Sequence, residues 1–245
     1  MLALINLDSA TERRRHMVGQ LAGVTPRFER VGFDGRSRPA HEIDAWCRER
    51  FGNLTFDFDL LSGAEVGCWV SHLTAWDLLR RRRTENACTV LEDDVLLAPD
   101  FAAATAELER ASPFDLVYLG TSSRNISLRR RTRIGNRWAH APVGTVFNTW
   151  GYVVTRAYVE RFFATPELRI AAPIDHFLGG NGRRARPRIA VLQPAVVTEE
   201  AALADQSQIE PHTFRFDRWK MIERTRRRLL SGSIGDLYSA LYRWL

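Results

Sequence analysis

The amino-acid sequence predicts an α/β fold, with a mostly parallel or mixed central sheet and helices on both faces. Short apolar runs at residues 2–7, 87–91, 114–119 and 151–155 have the length and side-chain character of strands, and segments with helical spacing lie between them. No internal repeat or Pro/Ser-rich linker interrupts the alternation, and 245 residues suffice for one α/β core without staples.

Residues 2–7 are the first predicted strand. Ser9-Ala10-Thr11-Glu12 has capping-box spacing, so a helix is expected from there to about residue 22. Pro26 breaks the chain, residues 27–33 read as a second strand, and Asp34-Gly35 marks a turn. Residues 41–51 have a helical pattern. A second capping box, Ser62-Gly63-Ala64-Glu65, opens a longer helix to about residue 82, with Val66, Trp69, Val70, Leu73, Trp76 and Leu79 as its apolar stripe. Arg80, Arg81, Arg82 and Arg83 complement the negative end of that helix. The strand at 87–91 runs directly into Glu92-Asp93-Asp94, and the strand at 114–119 ends at Gly120. Residues 122–137 lack apolar periodicity and are expected to form a mobile basic loop. A strand at 151–155, a helix at 156–164, a helical turn at 174–178 and a last strand at 188–197, interrupted at Pro194, complete the pattern.

Lys and Arg total 35 against 29 Asp and Glu, and the formal charge of +6 favours an anionic partner without naming it. Lys220 is the only lysine, so nearly all the positive charge is guanidinium, a bias that either suits a bidentate grip on phosphate or reflects codon usage alone. Six arginines and no acid occupy residues 124–137. A lid over phosphates, recognition of an acidic acceptor and a plain exposed loop are the three readings of that patch. Cys47, Cys68 and Cys88 are odd in number, widely spaced and without a Cys-x-x-Cys pair. That argues against a disulfide framework or a zinc site and favours a reducing compartment. No run approaches the roughly 18 to 20 apolar residues of a membrane span, and the first residues do not resemble a secretory leader. The expected location is cytoplasmic.

Glu92-Asp93-Asp94 is the sharpest chemical feature. Three adjacent carboxylates repel unless water or a cation relieves them, so the triplet is either a solvated acidic turn or a metal site. In extended backbone Glu92 and Asp94 share a face while Asp93 points away. Two hard oxygen ligands would then stand at a strand's carboxyl end, where open α/β sheets bind ligands. Mg²⁺ or Mn²⁺ suits such ligands and in turn holds a diphosphate. Gly67 costs its helix about 1 kcal/mol relative to alanine, which close approach of another backbone or a ligand would explain. His72 is either a phosphate ligand or a hydrogen-bonded core residue. Cys68 has no basic neighbour in sequence beyond His72, so a nucleophilic thiol is a weak reading.

Taken together, these residues resemble a known family. Leu4-Ile5-Asn6-Leu7-Asp8 with Glu12-Arg13-Arg14, then Phe33-Asp34-Gly35, Gly67-Cys68 with Ser71-His72 and Trp76, and Leu91-Glu92-Asp93-Asp94-Val95 are similar in order and spacing to glycosyltransferase family 25. Its members are bacterial lipooligosaccharide galactosyltransferase-like enzymes, related to collagen galactosyltransferases. Phe114-Asp115-Leu116-Val117-Tyr118-Leu119-Gly120, Gly151-Tyr152-Val153-Val154-Thr155 and Pro173-Ile174-Asp175 extend the resemblance across residues 2–200.

The resemblance implies a GT-A-like nucleotide-sugar-binding fold, an inverting transfer and a UDP-hexose donor, often UDP-galactose. On this basis the acidic triplet stands for the Asp-x-Asp motif. Asp94 would hold the Mn²⁺ or Mg²⁺ that bridges the diphosphate, with Glu92 reaching the ribose or a metal-bound water. Asn6 and Asp8 would lie near the uridine, and Arg13 would either face phosphate or be a surface arginine. Asp34, Asp93 and His72 complete the expected donor-binding set. The cation and arginines would neutralise the leaving diphosphate. Inversion also needs a carboxylate to take the acceptor's proton, and Asp175 is the candidate catalytic base, with a helix N-cap as its competing role. The sequence departs from the family pattern at Ser207-Gln208-Ile209, where many relatives carry Ser-Asp-Ile, and Gln193-Pro194 keeps only part of the proline-containing strand.

The expected domains are a glycosyltransferase unit over residues 1–211 and a basic amphipathic helical segment over 212–245. That segment either lies on an anionic membrane, gaining about 1 kcal/mol per basic residue, or packs on the sheet. The first arrangement would suit a lipid-linked acceptor at the inner face of the cytoplasmic membrane. Expected partners are a UDP-sugar and an oligosaccharide acceptor, with no nucleic acid. Two alternatives fit less well. A nucleotidyltransferase should show a Gly-rich, lysine-bearing phosphate loop, and a basic membrane- or nucleic-acid-binding module has no use for three acids at a strand end.

Overall fold

The strand-and-helix alternation becomes an eight-stranded mixed sheet in the computed structural model, which describes residues 1–24, 27–52, 54–122, 126–179 and 187–204. The chain runs through β1 (Leu2–Ile5), α1 (Thr11–Leu21), β2 (Glu29–Val31), α2 (Ala40–Phe51), β3 (Leu54–Phe56) and α3 (Gly63–Arg81). It continues through β4 (Ala87–Leu91), β5 (Val95–Leu97), α4 (Phe101–Ala111), β6 (Leu116–Gly120), β7 (Ile126–Ile134) and β8 (Arg137–Pro142). The last elements are β9 (Gly151–Thr155), α5 (Arg156–Phe163), β10 (Leu168–Ile170), α6 (Ile174–Gly179), β11 (Ile189–Gln193), β12 (Val197–Glu199) and α7 (Ala201–Ala204). All described residues belong to one unit, Met1–Gln206. The segment 212–245, Ser207-Gln208-Ile209, Pro26 and Arg124 lie outside the described residues.

Strand order in the large sheet is β2-β1-β4-β9-β6-β11-β8-β7. β1 is parallel to β2 and β4, and β6 is parallel to β11, whereas β9 lies antiparallel between β4 and β6. The carboxyl ends of β1, β2 and β4 therefore share an edge with the amino end of β9. That edge carries the candidate site.

Side chains alternate cleanly between the two faces. Cys88 and Val90 of β4, Leu116 and Tyr118 of β6, and Tyr152 and Val154 of β9 enter one core with α2, α3, α5 and α6. Ala87, Leu91, Val117, Leu119 and Val153 enter the opposite core with Met17 and Leu21 of α1 and Phe101 and Leu108 of α4. Helices thus cover both faces, giving the α/β class that the sequence predicts.

Several elements differ from the sequence reading for identifiable reasons. The first capping box is not made, because α1 starts at Thr11 with Ala10 at its cap and Ser9 lies one residue too early. The second forms completely: Ser62 Oγ accepts from Glu65 N at 3.2 Å, and Glu65 Oε2 accepts from Ser62 N at 2.7 Å. Gly67 meets the loop after β2. A Cβ there would lie 2.7 Å from both Gly35 N and Phe33 O, so backbone approach explains the glycine.

The expected mobile loop at 122–137 is largely β7, an edge strand turning into β8 through Gly135, whose φ is +56°. An exposed edge strand needs no apolar alternation, which is why periodicity misses it. Arg131 lies over the Trp138 ring at 4.2 Å, and Arg137 donates to both carboxylate oxygens of Asp100 at 2.6 Å. Among the described residues no helix is long and apolar enough to cross a membrane.

Candidate active site

β4 delivers the acidic triplet to the sheet edge, and the chain is clamped immediately on both sides. Glu92 N donates to Trp150 O at 3.0 Å, and Glu200 N donates to Asp94 O at 2.8 Å. Val95–Leu97 then pairs antiparallel with Val197–Glu199. The backbone bends at Asp93 and Asp94, so the extended alternation expected from sequence does not hold. Asp93 and Asp94 turn to Arg13, and Glu92 turns to Thr149 and His72.

Arg13 is the centre of the first group. Its Nη1 donates to Asp93 Oδ1 at 2.9 Å and lies 3.1 Å from Asp94 Oδ2, while Nη2 donates to Leu203 O at 2.8 Å. Asn6, just past β1, donates from Nδ2 to Asp93 Oδ2 at 2.7 Å and to Ala10 O at 3.0 Å. One face of α1 holds the whole turn. Three residues beyond Arg13, His16 Nε2 lies 2.9 Å from Val95 O; further along, Gln20 Nε2 donates to Val95 O at 2.6 Å and Gln20 Oε1 accepts from Leu97 N at 2.8 Å.

One guanidinium does not offset this many carboxylates. Burial raises the Asp93 carboxyl above its ordinary value, opposed by hydrogen bonds from Asn6 and Arg13. Asp94 is pushed up to about 7, first by burial and then by the negative charge of Glu92, with Arg13 acting in the other direction. Asp94 Oδ1 is buried and has no hydrogen-bond partner. A hard divalent cation supplies what such an orphaned oxygen lacks, so Asp94 alone fits a ligand of the expected metal, whereas Glu92, its expected co-ligand, turns to Thr149 and His72.

The second group joins α3 to β4 and β9. His72 is fully buried; Nδ1 lies 2.8 Å from Tyr152 Oη, and Nε2 lies 3.6 Å from Glu92 Oε1. Trp76 Nε1 donates to the same Tyr152 oxygen at 2.9 Å. Glu92 Oε1 also accepts from Thr149 Oγ1 at 2.5 Å. Cys68, one helical turn before His72, completes a cluster in which a sulfur, a ring nitrogen and a carboxylate oxygen all lie within 4.8 Å of one another. Burial raises the Cys68 thiol well above 9, and the charges of Glu92, Asp175, Glu65 and Asp94 raise it further. Asp175 therefore acts on the same neighbourhood as the triplet. It sits inside the first turn of α6, where Oδ1 accepts from His176 N at 2.7 Å, and not at a helix cap.

The structure brings Asn6, Arg13, Asp93 and Asp94 into one network and Glu92, His72 and Thr149 into the adjoining one. His72 takes the core reading: its ring is enclosed and bonded to Tyr152, so it presents no surface to a phosphate. Arg13 is neither a surface residue nor free for phosphate, because both terminal nitrogens are committed to protein oxygens. Asp8 is exposed and accepts from Arg30 Nη2 at 2.6 Å. Asp34 accepts from the backbone and guanidinium of Arg36, which hold its carboxyl below the ordinary value. Sequence reasoning missed Thr149 as a partner of Glu92. It places Trp76 in an apolar stripe and in the family pattern, without a partner for its ring nitrogen, and does not link Tyr152 to His72. The Gly-Tyr-Val-Val-Thr run was the available signal, since a tyrosine inside a buried strand needs a partner for its hydroxyl.

The carboxylate cluster thus stands at the carboxyl edge of the parallel strands of a mixed α/β sheet, the edge at which open α/β sheets bind ligands. The family model described as glycosyltransferase family 25 (LPS biosynthesis protein) matches residues 2–178, and the chain belongs to that family. It is 24% identical over 194 residues to a glycosyltransferase 25 family member of Anopheles gambiae, covering 71% of this chain and 30% of that protein. Identity is 22% over 187 residues to procollagen galactosyltransferase 1 of Danio rerio, with the same coverage of 71% and 30%. The inactive glycosyltransferase 25 family member 3 of Homo sapiens is 25% identical over 193 residues, again over 71% of this chain and 30% of that protein. The chain thus spans about 30% of the length of these relatives. Among solved structures, A197 from STIV is similar at 13% identity and a TM-score of 0.43, covering 80% of this chain and 81% of that one.

Proposed function

We propose that this chain transfers a hexose, galactose in the first instance, from a UDP-sugar to an oligosaccharide acceptor with inversion. The supporting observation is the orphaned, buried Asp94 Oδ1 among crowded carboxylates at the sheet's carboxyl edge, in a chain of family 25. Asp94 would hold Mn²⁺ or Mg²⁺, which supplies charge neutralisation for the departing diphosphate. Arg13 fixes the orientation of Asp93 and Asp94 and offsets part of their repulsion. Asn6 locks Asp93, and the loops after β1 and β2, carrying Asp8 and Asp34, form the expected uridine side. Thr149 holds Glu92 through its hydroxyl. Asp175 takes the proton of the acceptor hydroxyl as that oxygen attacks the anomeric carbon.

A lipid-linked lipooligosaccharide acceptor, reached by a cytoplasmic enzyme at the inner membrane face, is the setting we propose from the family description and the basic segment 212–245. Two substitutions test the chemistry. Asp94→Asn should abolish metal-dependent UDP-sugar hydrolysis and transfer with the circular dichroism spectrum unchanged; full activity would remove the metal from this position. Asp175→Asn should lower the transfer rate by about 10²- to 10⁴-fold, the usual worth of a positioned base, while calorimetric affinity for UDP stays the same. Loss of UDP affinity would place Asp175 on the donor side instead.

A further inference from the structure

We propose that Cys68, His72 and Glu92 form a second metal site, one selective for thiophilic ions such as Zn²⁺ and Co²⁺. Cys68 and His72 are four residues apart on α3 and so share a helix face, toward which the end of β4 brings Glu92. Their donor atoms already lie within 4.8 Å of one another, and the His72 Nε2 to Glu92 Oε1 distance is 3.6 Å. Tetrahedral zinc, with bonds of about 2.0–2.3 Å, requires roughly 3.3–3.6 Å between ligand atoms. Only a small closure is needed.

The second observation is His72 itself. Its side chain is wholly buried and Nε2, facing Glu92, has no hydrogen-bond partner. The opposite nitrogen, Nδ1, has an oxygen at 2.8 Å in Tyr152 Oη. A metal-bound imidazole commonly donates its second N–H to an oxygen in this way, which fixes the tautomer and the ring plane. Tyr152 has two lone pairs, enough to accept from both Trp76 and His72. On binding, the Cys68 thiol releases its proton to solvent and the sulfur coordinates as thiolate.

Sulfur and imidazole ligands select zinc and cobalt, whereas Mg²⁺ and Mn²⁺ prefer oxygen ligands such as the Asp94 carboxylate. The binding of zinc or cobalt does not rest on the proposed function.

The test is a Co²⁺ titration of the reduced, metal-free full chain followed by absorption. One equivalent should produce tetrahedral ligand-field bands and a thiolate-to-cobalt charge-transfer band, both bleached by Zn²⁺. Cys68→Ser should remove the charge-transfer band, and Asp94→Asn should keep it. No band in the wild-type protein, a band that survives Cys68→Ser, or its loss in a folded Asp94→Asn protein overturns the proposal. Zinc-edge X-ray absorption of the zinc-loaded wild-type chain needs no variant. A sulfur and an imidazole among the ligands supports the site, and oxygen ligands alone overturn it. None of these readings depends on UDP-sugar turnover, so failure of the glycosyltransferase reading would leave them intact.

Discussion

Asp94 has one carboxylate oxygen 3.1 Å from Arg13 and buries the other without a partner. Its folded-state pKa of about 7 exceeds the ordinary 3.8, so between those values the folded chain holds a proton that the unfolded chain does not. Stability from this group is fully present below 3.8 and is lost as pH rises through about 7. In chelator, the melting temperature of wild-type protein relative to Asp94→Asn should therefore fall as pH is raised across that window. Parallel curves for the two proteins would contradict the assignment. The triplet itself was legible in sequence, because three adjacent acids are rare at the end of an apolar strand. The role of Arg13 was not, since its partner lies 80 residues away and only the folded chain joins them.

Local elements were legible where one side chain answers another a few residues on. Ser62 and Glu65 announced α3 correctly, and the glycine at 67 correctly implied a close neighbour. Gly67→Ala tests that packing. Alanine gains about 1 kcal/mol of helix propensity, but overpacking against backbone costs about 1–3 kcal/mol, and the intruding Cβ would meet two backbone atoms at 2.7 Å. The same displacement loosens the bond from Phe33 N to Ser71 Oγ, now 2.9 Å. Thermal unfolding should show a lower midpoint for the variant; an equal or higher one means the loop yields freely. β7 failed to announce itself because a solvent-facing edge strand of arginines carries no period that a core would impose.

At the scale of the whole molecule, sequence fixes the alternation of strands and helices but not the strand order. The insertion of β9 between β4 and β6 is a long-range choice. It places Trp150 and Thr149 against Glu92, so half of the candidate site depends on topology that no local pattern encodes. The other consequence of topology is the edge at β7, unpaired on its outer side among the described residues, where Arg129, Arg130 and Arg131 are exposed. Like charges along an edge discourage strand-to-strand pairing between molecules. Replacing these three arginines with threonine should increase the apparent mass in light scattering with concentration, and an unchanged mass would show that β7 is protected by other means.

The Arg13 guanidinium also grips the carbonyl of Leu203 at 2.8 Å, so the short helix Ala201–Ala204 and the acids after β4 share one handle. Linkage of this kind is reciprocal. Any coupling that Arg13 carries between the acids and the docking of residues 201–204 would therefore have one free energy, equal in both directions.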